Sequence, residues 1–195
     1  MRMMLTFAIV TAATAAVVGG VGRYRKLARE AAYTEAVYSA AFQYLADRRT
    51  DNRPFVVQPL AADPLHMEAK SWTLACQSVP TDLRVRFEQP RAPRRQHIQA
   101  AFPPNVSFVP QEQIDAAAND TAPHTDRWPY INGLSPTNGT YAVSIPVFSD
   151  SNIDSLISVE YSCSPNCASG ELLWMRRDTP GNNWHVQEAC TGWVA

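Results

Sequence analysis

The chain opens on a stretch without charge. From Met3 to Gly22 every side chain is apolar, small or a hydroxyl. Such a run is about long enough to cross a bilayer as a helix, which takes roughly 20 residues. Its strongest hydrophobicity lies in Met3 to Val10, the size of a signal-peptide core of about 7–15 residues. Ala13-Thr14-Ala15 is the best match to a cleavage site behind it. Residues 1–22 therefore read either as a cleaved signal peptide or as a retained membrane anchor. A buried core helix fits less well, because the stretch has no polar face. A pilin-like assembly segment would often carry an internal carboxylate, and none is present.

Behind this segment the hydrophobic period changes. Leu27, Ala31, Thr34, Val37, Tyr38, Ala41, Tyr44 and Leu45 recur at three- and four-residue steps, which predicts an amphipathic helix from Tyr24 to Ala46. Asp47-Arg48-Arg49-Thr50-Asp51-Asn52 and Pro54 stop it. Phe55-Val56-Val57 and Val106-Ser107-Phe108-Val109 are short strand candidates. Pro80 to Phe87 predicts a helix opened by Pro80 and Asp82, with Leu83 and Phe87 on one face. Pro110 to Ala116 reads as another short helix. The segments Pro59–Pro64, Pro90–Arg95 and Asn119–Pro136 read as loops.

The last third has the period of strands. Tyr141, Val143, Ile145 and Val147 alternate with small or polar residues, and Ile157, Val159 and Tyr161 follow in the same phase. Glu171 to Arg176 and Trp184 to Val194 continue the series, separated by Cys163-Ser164-Pro165-Asn166-Cys167 and by the turn signal Asp178-Thr179-Pro180-Gly181-Asn182. Short turns between about four strands imply an antiparallel meander, and the long helix is the obvious cover for one face. The expected fold class is α+β, with residues 23–195 forming one small domain.

Composition narrows the setting. Of 195 residues, 46% are hydrophobic and 18% charged, which permits a packed core and argues against general disorder. The net charge of −1 supplies no global field toward nucleic acid, so no nucleic-acid partner is expected. Lysine occurs only at Lys26 and Lys70 while arginine and alanine are frequent, a composition of GC-rich bacterial genomes. Arg23, Arg25, Lys26 and Arg29 follow the uncharged stretch. By the positive-inside rule alone they favour a cytoplasmic C-terminal side.

The cysteines weigh against that topology. Cys76, Cys163, Cys167 and Cys190 allow three connectivities. Local pairing of Cys163 with Cys167 is geometrically easy, and it leaves Cys76 for Cys190. A bridge closing about 100 residues would stabilise by roughly 4–5 kcal/mol by the chain-entropy argument, and a short loop by less. Zinc prefers two close cysteine pairs, and only one pair here is close. A redox role favours C-x-x-C at a helix start, whereas this pair is C-x-x-x-C between strands. Structural disulfides are the leading reading. They place the protein in the periplasm or outside the cell, with residues 3–22 as a contact to the inner membrane if they are retained.

Val147-Phe148-Ser149, Cys163-Ser164-Pro165-Asn166-Cys167, Gly170-Glu171-Leu172, Trp184-His185-Val186 and Trp193-Val194 together resemble a pattern seen in uncharacterised bacterial exported proteins. The resemblance covers about residues 140–195. Ser164 and Ala168 stand where that pattern carries glycine. It implies export and the fold class, and it implies no site.

No catalytic constellation, metal-ligand set or cofactor fingerprint stands out. His66, His97, His124 and His185 show no ligand spacing. A Gly-x-Ser-x-Gly elbow and a Gly-rich phosphate loop are both lacking. Arg84, Arg86, Arg91, Arg94 and Arg95 form a basic cluster tempered by Glu88, which reads as a solvated face before it reads as an anion site. Trp128, Trp174, Trp184 and Trp193 read as core packing before they read as a ligand groove. The expectation is a non-catalytic envelope protein acting as a binding or assembly module with a possible protein partner. The alternatives are a small exported hydrolase and a subunit of a membrane complex or filament.

Overall fold

The computed structural model describes residues 28–49, 55–62, 76–90, 94–104, 106–110, 112, 140–164, 167–179 and 183–194. The uncharged stretch at 3–22 and most of the predicted helix at 110–116 lie outside these residues. No described helix is long and apolar enough to cross a membrane.

The first helix, α1, spans 28–47. Its buried positions are Val37, Tyr38, Ala41, Phe42 and Leu45, the spacing of one helical face. Phe42 belongs to that face although the periodic reading passed over it. Among the described residues there follow nine strands and the helix α2: β1 (Phe55–Val57), β2 (Leu60–Ala62), α2 (Thr81–Glu88), β3 (Arg95–His97), β4 (Val106–Phe108), β5 (Thr140–Val143), β6 (Val147–Phe148), β7 (Asp154–Ser164), β8 (Cys167–Arg177) and β9 (Trp184–Val194).

Seven strands form one mixed sheet in the order β4-β1-β5-β7-β8-β9, with β6 continuing beside β7. The meander β7-β8-β9 is antiparallel, as the short turns predict. On its other flank β1 runs parallel to both β4 and β5. The predicted strand through Tyr141–Val147 is interrupted between β5 and β6. There the Ser144 hydroxyl accepts from the Ser158 N–H (2.9 Å) in place of a backbone carbonyl. The Ser144 carbonyl accepts from the Tyr38 hydroxyl at 3.4 Å, which ties α1 to the break.

Two predicted loops are corrected. β2, within Pro59–Pro64, pairs antiparallel with β3, which begins at the end of Pro90–Arg95. Strands of only three residues, Leu60-Ala61-Ala62 and Arg95-Gln96-His97, are too short to show an alternation. The cysteine turn is tighter than expected, since pairing of β7 with β8 runs out to Ser164 opposite Cys167.

The half-buried reading of the central strands is also corrected, because both faces of the sheet are covered. On one face Ile157, Val159, Leu173, Met175 and Trp184 pack against α1. On the other, Val147, Leu156, Leu172 and Trp174 pack against Val79, Leu83 and Phe87 of the α2 region. Ser158, opposite Leu172, is buried on that second face too, which hid it behind a polar letter. α2 forms where the sequence places it. Pro80 at its N-cap has φ −52°, pre-set for helix entry. Asp82 lies in the first turn and Arg86 in the last, both favourable to the helix dipole. The result is a three-layer helix–sheet–helix sandwich.

Candidate functional site

Cys76 and Cys190 are joined across a sequence separation of 114, with their Cα atoms 5.6 Å apart. The bridge ties the segment before α2 to β9 and sits fully inside the second core layer beside Leu172 and Leu83. A buried disulfide of this kind is what an oxidising compartment allows. β7 and β8 bring the backbones at Cys163 and Cys167 to neighbouring strand ends. Their side chains lie outside the described residues.

A cleft of about 220 Å3 opens where the C-terminal end of α1 meets the sheet, lined by Leu45, Arg48, Arg49, Tyr141, Val159, Tyr161, Ser169 and Glu171. The strand registers explain why these residues converge. Tyr141 pairs with Tyr161, Tyr161 with Ser169, and Val159 with Glu171, so all five share the α1 face. α1 places Leu45 and the two arginines over them.

Among the described residues the Arg48 side chain makes its hydrogen bonds through a single nitrogen. Its Nη1 donates to Glu171 Oε1 at 3.0 Å, to Oε2 at 2.8 Å and to the Tyr44 hydroxyl at 3.2 Å. The guanidinium also lies 5.3 Å from the Tyr44 ring centroid. Burial works to lower the Arg48 pKa, but the Glu171 carboxylate and Tyr44 outweigh it, so the net direction is upward. The Tyr141 and Tyr161 rings pack at 4.9 Å and 43°. Burial pushes the Tyr141 hydroxyl up, and its hydrogen bond with Arg49 opposes without cancelling the effect.

A second, more open trough of about 810 Å3 runs along α1, lined by Ala32, Ala36, Ser39 and Ala40 on one side and Phe102 and Trp184 on the other. Trp184 in turn meets the rings of Tyr33 and Phe148 in T-shaped contacts, and those two rings pack tilted against each other. Arg177 caps Tyr33, its Nη1 donating to the phenol at 2.7 Å.

The other sequence candidates disperse. Arg84 and Arg86 lie on α2, where Arg86 pairs with Asp150. Arg94 and Arg95 are exposed at β3, and Arg91 lies outside the described residues. His185 is exposed on β9 beside Asp178 at 3.5 Å, as an outward strand position predicts. His97 is exposed on β3, while His66 and His124 lie outside the described residues. Trp174 and Trp184 are core residues. Among the described residues no three His, Cys, Asp or Glu side chains gather as metal ligands.

Sequence reasoning missed the cleft. Arg48 and Arg49 figured only as helix-stopping polar residues, and Tyr141, Tyr161 and Glu171 only as strand positions. Arg48 and Glu171 are 123 residues apart, and no local spacing signals such a pair. No known protein family, no curated protein and no solved structure matches the chain.

Proposed function

We propose that the protein is a non-catalytic envelope module, exported by its uncharged N-terminal segment and acting in binding or assembly outside the cytoplasm. The observation that carries the reading is the Cys76–Cys190 bridge, buried in the core layer formed with α2. A buried bridge that closes so long a loop makes folding of the domain depend on oxidation, and oxidation is a property of the envelope. The polar cleft supports recognition, because its charged groups are held in place by partners on the sheet and on α1.

A second reading, a subunit of a membrane complex or filament, draws on the trough along α1. Ala32, Ala36 and Ala40 stand one turn apart there, and small residues at that spacing let another helix approach closely. Both readings are tested by fractionating the producing cell and measuring the intact mass of the mature protein. A mass that retains residues 3–22, in the membrane fraction, selects the anchored subunit. A mass lacking them, in the periplasmic or secreted fraction, selects the free module. Recovery in the cytoplasm with all thiols reduced contradicts both.

A further inference from the structure

We infer that the outer face of α1 docks on the same face of a second copy of the chain, with the two helices antiparallel about a two-fold axis. The inference rests on the reading of the trough as a helix-docking surface and names its occupant.

The face has no cover. α1 buries its inner side against the sheet. On the opposite side Arg29, Ala32, Gln43 and Asp47 are exposed, and Ala36 and Ala40 are half-buried between them. Ala32, Ala36, Ala40 and Gln43 line the trough, with Phe102 and Trp184 as apolar shoulders. Alanine at the contact lets a second helix axis come to the near end of the packing range, roughly 8–10 Å.

Charge names the occupant. Arg29 and Asp47 stand 18 residues apart. At about 3.6 residues and 5.4 Å per turn that is five turns, so both lie on one side of the helix, about 27 Å apart. Among the described residues Arg29 has no ion-pair partner, and the Asp47 carboxylate accepts only from the Gln43 amide, at 2.7 Å. A carboxylate at a helix C-terminus opposes the helix dipole, which leaves the charge of Asp47 to be met from outside the helix. One end of the face is thus positive and the other negative. A second copy laid antiparallel brings Arg29 of each chain to Asp47 of the other, and the symmetry of the contact forms both pairs at once. Ala36 comes seven residues after Arg29 and Ala40 seven before Asp47, so the same alignment sets alanine against alanine at the crossing. Glu35, on the flank of the trough, falls level with Ala41 of the second copy and meets no acid. A parallel copy would set like charges together. Exposed ion pairs contribute little affinity; here they fix direction and register, and apolar burial supplies the affinity.

Sedimentation equilibrium of the full mature protein over rising concentration is the test, with the fold of each variant checked by circular dichroism. The unaltered chain is expected to pass from monomer to dimer, and the dimer to weaken as salt rises, because exposed pairs are screened. Arg29→Asp sets acid against acid, and Asp47→Arg sets base against base. Each is expected to weaken the dimer by about tenfold or more. The double variant Arg29→Asp/Asp47→Arg exchanges the two ends and is expected to recover the dimer to within about threefold. A chain that stays monomeric at its highest soluble concentration, assembly beyond a dimer, or reversals without effect would each overturn the inference. So would a double variant no stronger than the singles, or a different protein recovered on this face of a monomeric chain. Should a reversal not fold, Ala36→Gln, which lengthens the side chain at the crossing, takes its place, and an unchanged dimer then overturns the inference. A monomer whose mass retains residues 3–22, in the membrane fraction, would sink this inference and leave the anchored-subunit reading standing.

Discussion

Tyr141 carries a proton more tightly in the folded protein than in water, because burial of its hydroxyl outweighs the opposing pull of Arg49. A raised folded pKa means that the unfolded chain ionises first as pH rises. Stability from this group is therefore present in full below the ordinary tyrosine pKa of about 10 and is lost as pH climbs through the folded value. Tyr141→Phe removes that component. Chemical denaturation repeated from pH 8 to 11 is expected to show a shallower alkaline loss in the variant. A parallel loss would mean that Tyr141 titrates alike in both states. Packing makes a second demand at this scale. Leu172 is fully buried between β8 and the α2 layer, so Leu172→Ala is expected to cost about 2–5 kcal/mol.

At the scale of elements, the break between β5 and β6 is held by a side chain doing a backbone's work. The Ser144 hydroxyl accepts from Ser158 N–H in a buried setting. Ser144→Ala strands that donor, at a cost of about 1–3 kcal/mol. Ser144→Thr keeps the oxygen and is expected to lose less. The comparison of the two midpoints in urea checks the assignment. The elements also show where sequence speaks plainly. α1, α2 and the strands β7 to β9 were legible because each has one period sustained over two or more turns or pleats. β2 and β3 were not, since three residues are too few to show a period. The double coverage of the sheet was hidden because Ser158 occupies the second face among its apolar residues, and serine reads as solvent. The cleft was hidden for a different reason. Its members come from the end of α1, β5, β7 and β8, and only the strand register brings them together.

For the whole molecule, oxidation and folding are one question. The two helices cover opposite faces of the sheet and touch different cores, and the Cys76–Cys190 bridge anchors the second layer to the edge strand β9. Closing a loop of 114 residues restricts the unfolded chain, worth roughly 4–5 kcal/mol by the chain-entropy argument. That is a large part of the roughly 5–15 kcal/mol by which a domain is stable. The double variant Cys76→Ala/Cys190→Ala is accordingly expected to lose most of its margin and to yield little folded protein. A midpoint within a few degrees of the unaltered chain would show that the two layers hold without the staple.

The most direct measurement is the redox state of Cys76 and Cys190 in the cell that makes the protein. Cells are quenched in acid, free thiols alkylated, and the digested protein read by mass spectrometry. A peptide pair linked through these two sulfurs, in protein recovered from outside the cytoplasm, is the predicted result. Alkylation of both in the folded cytoplasmic protein would contradict the account.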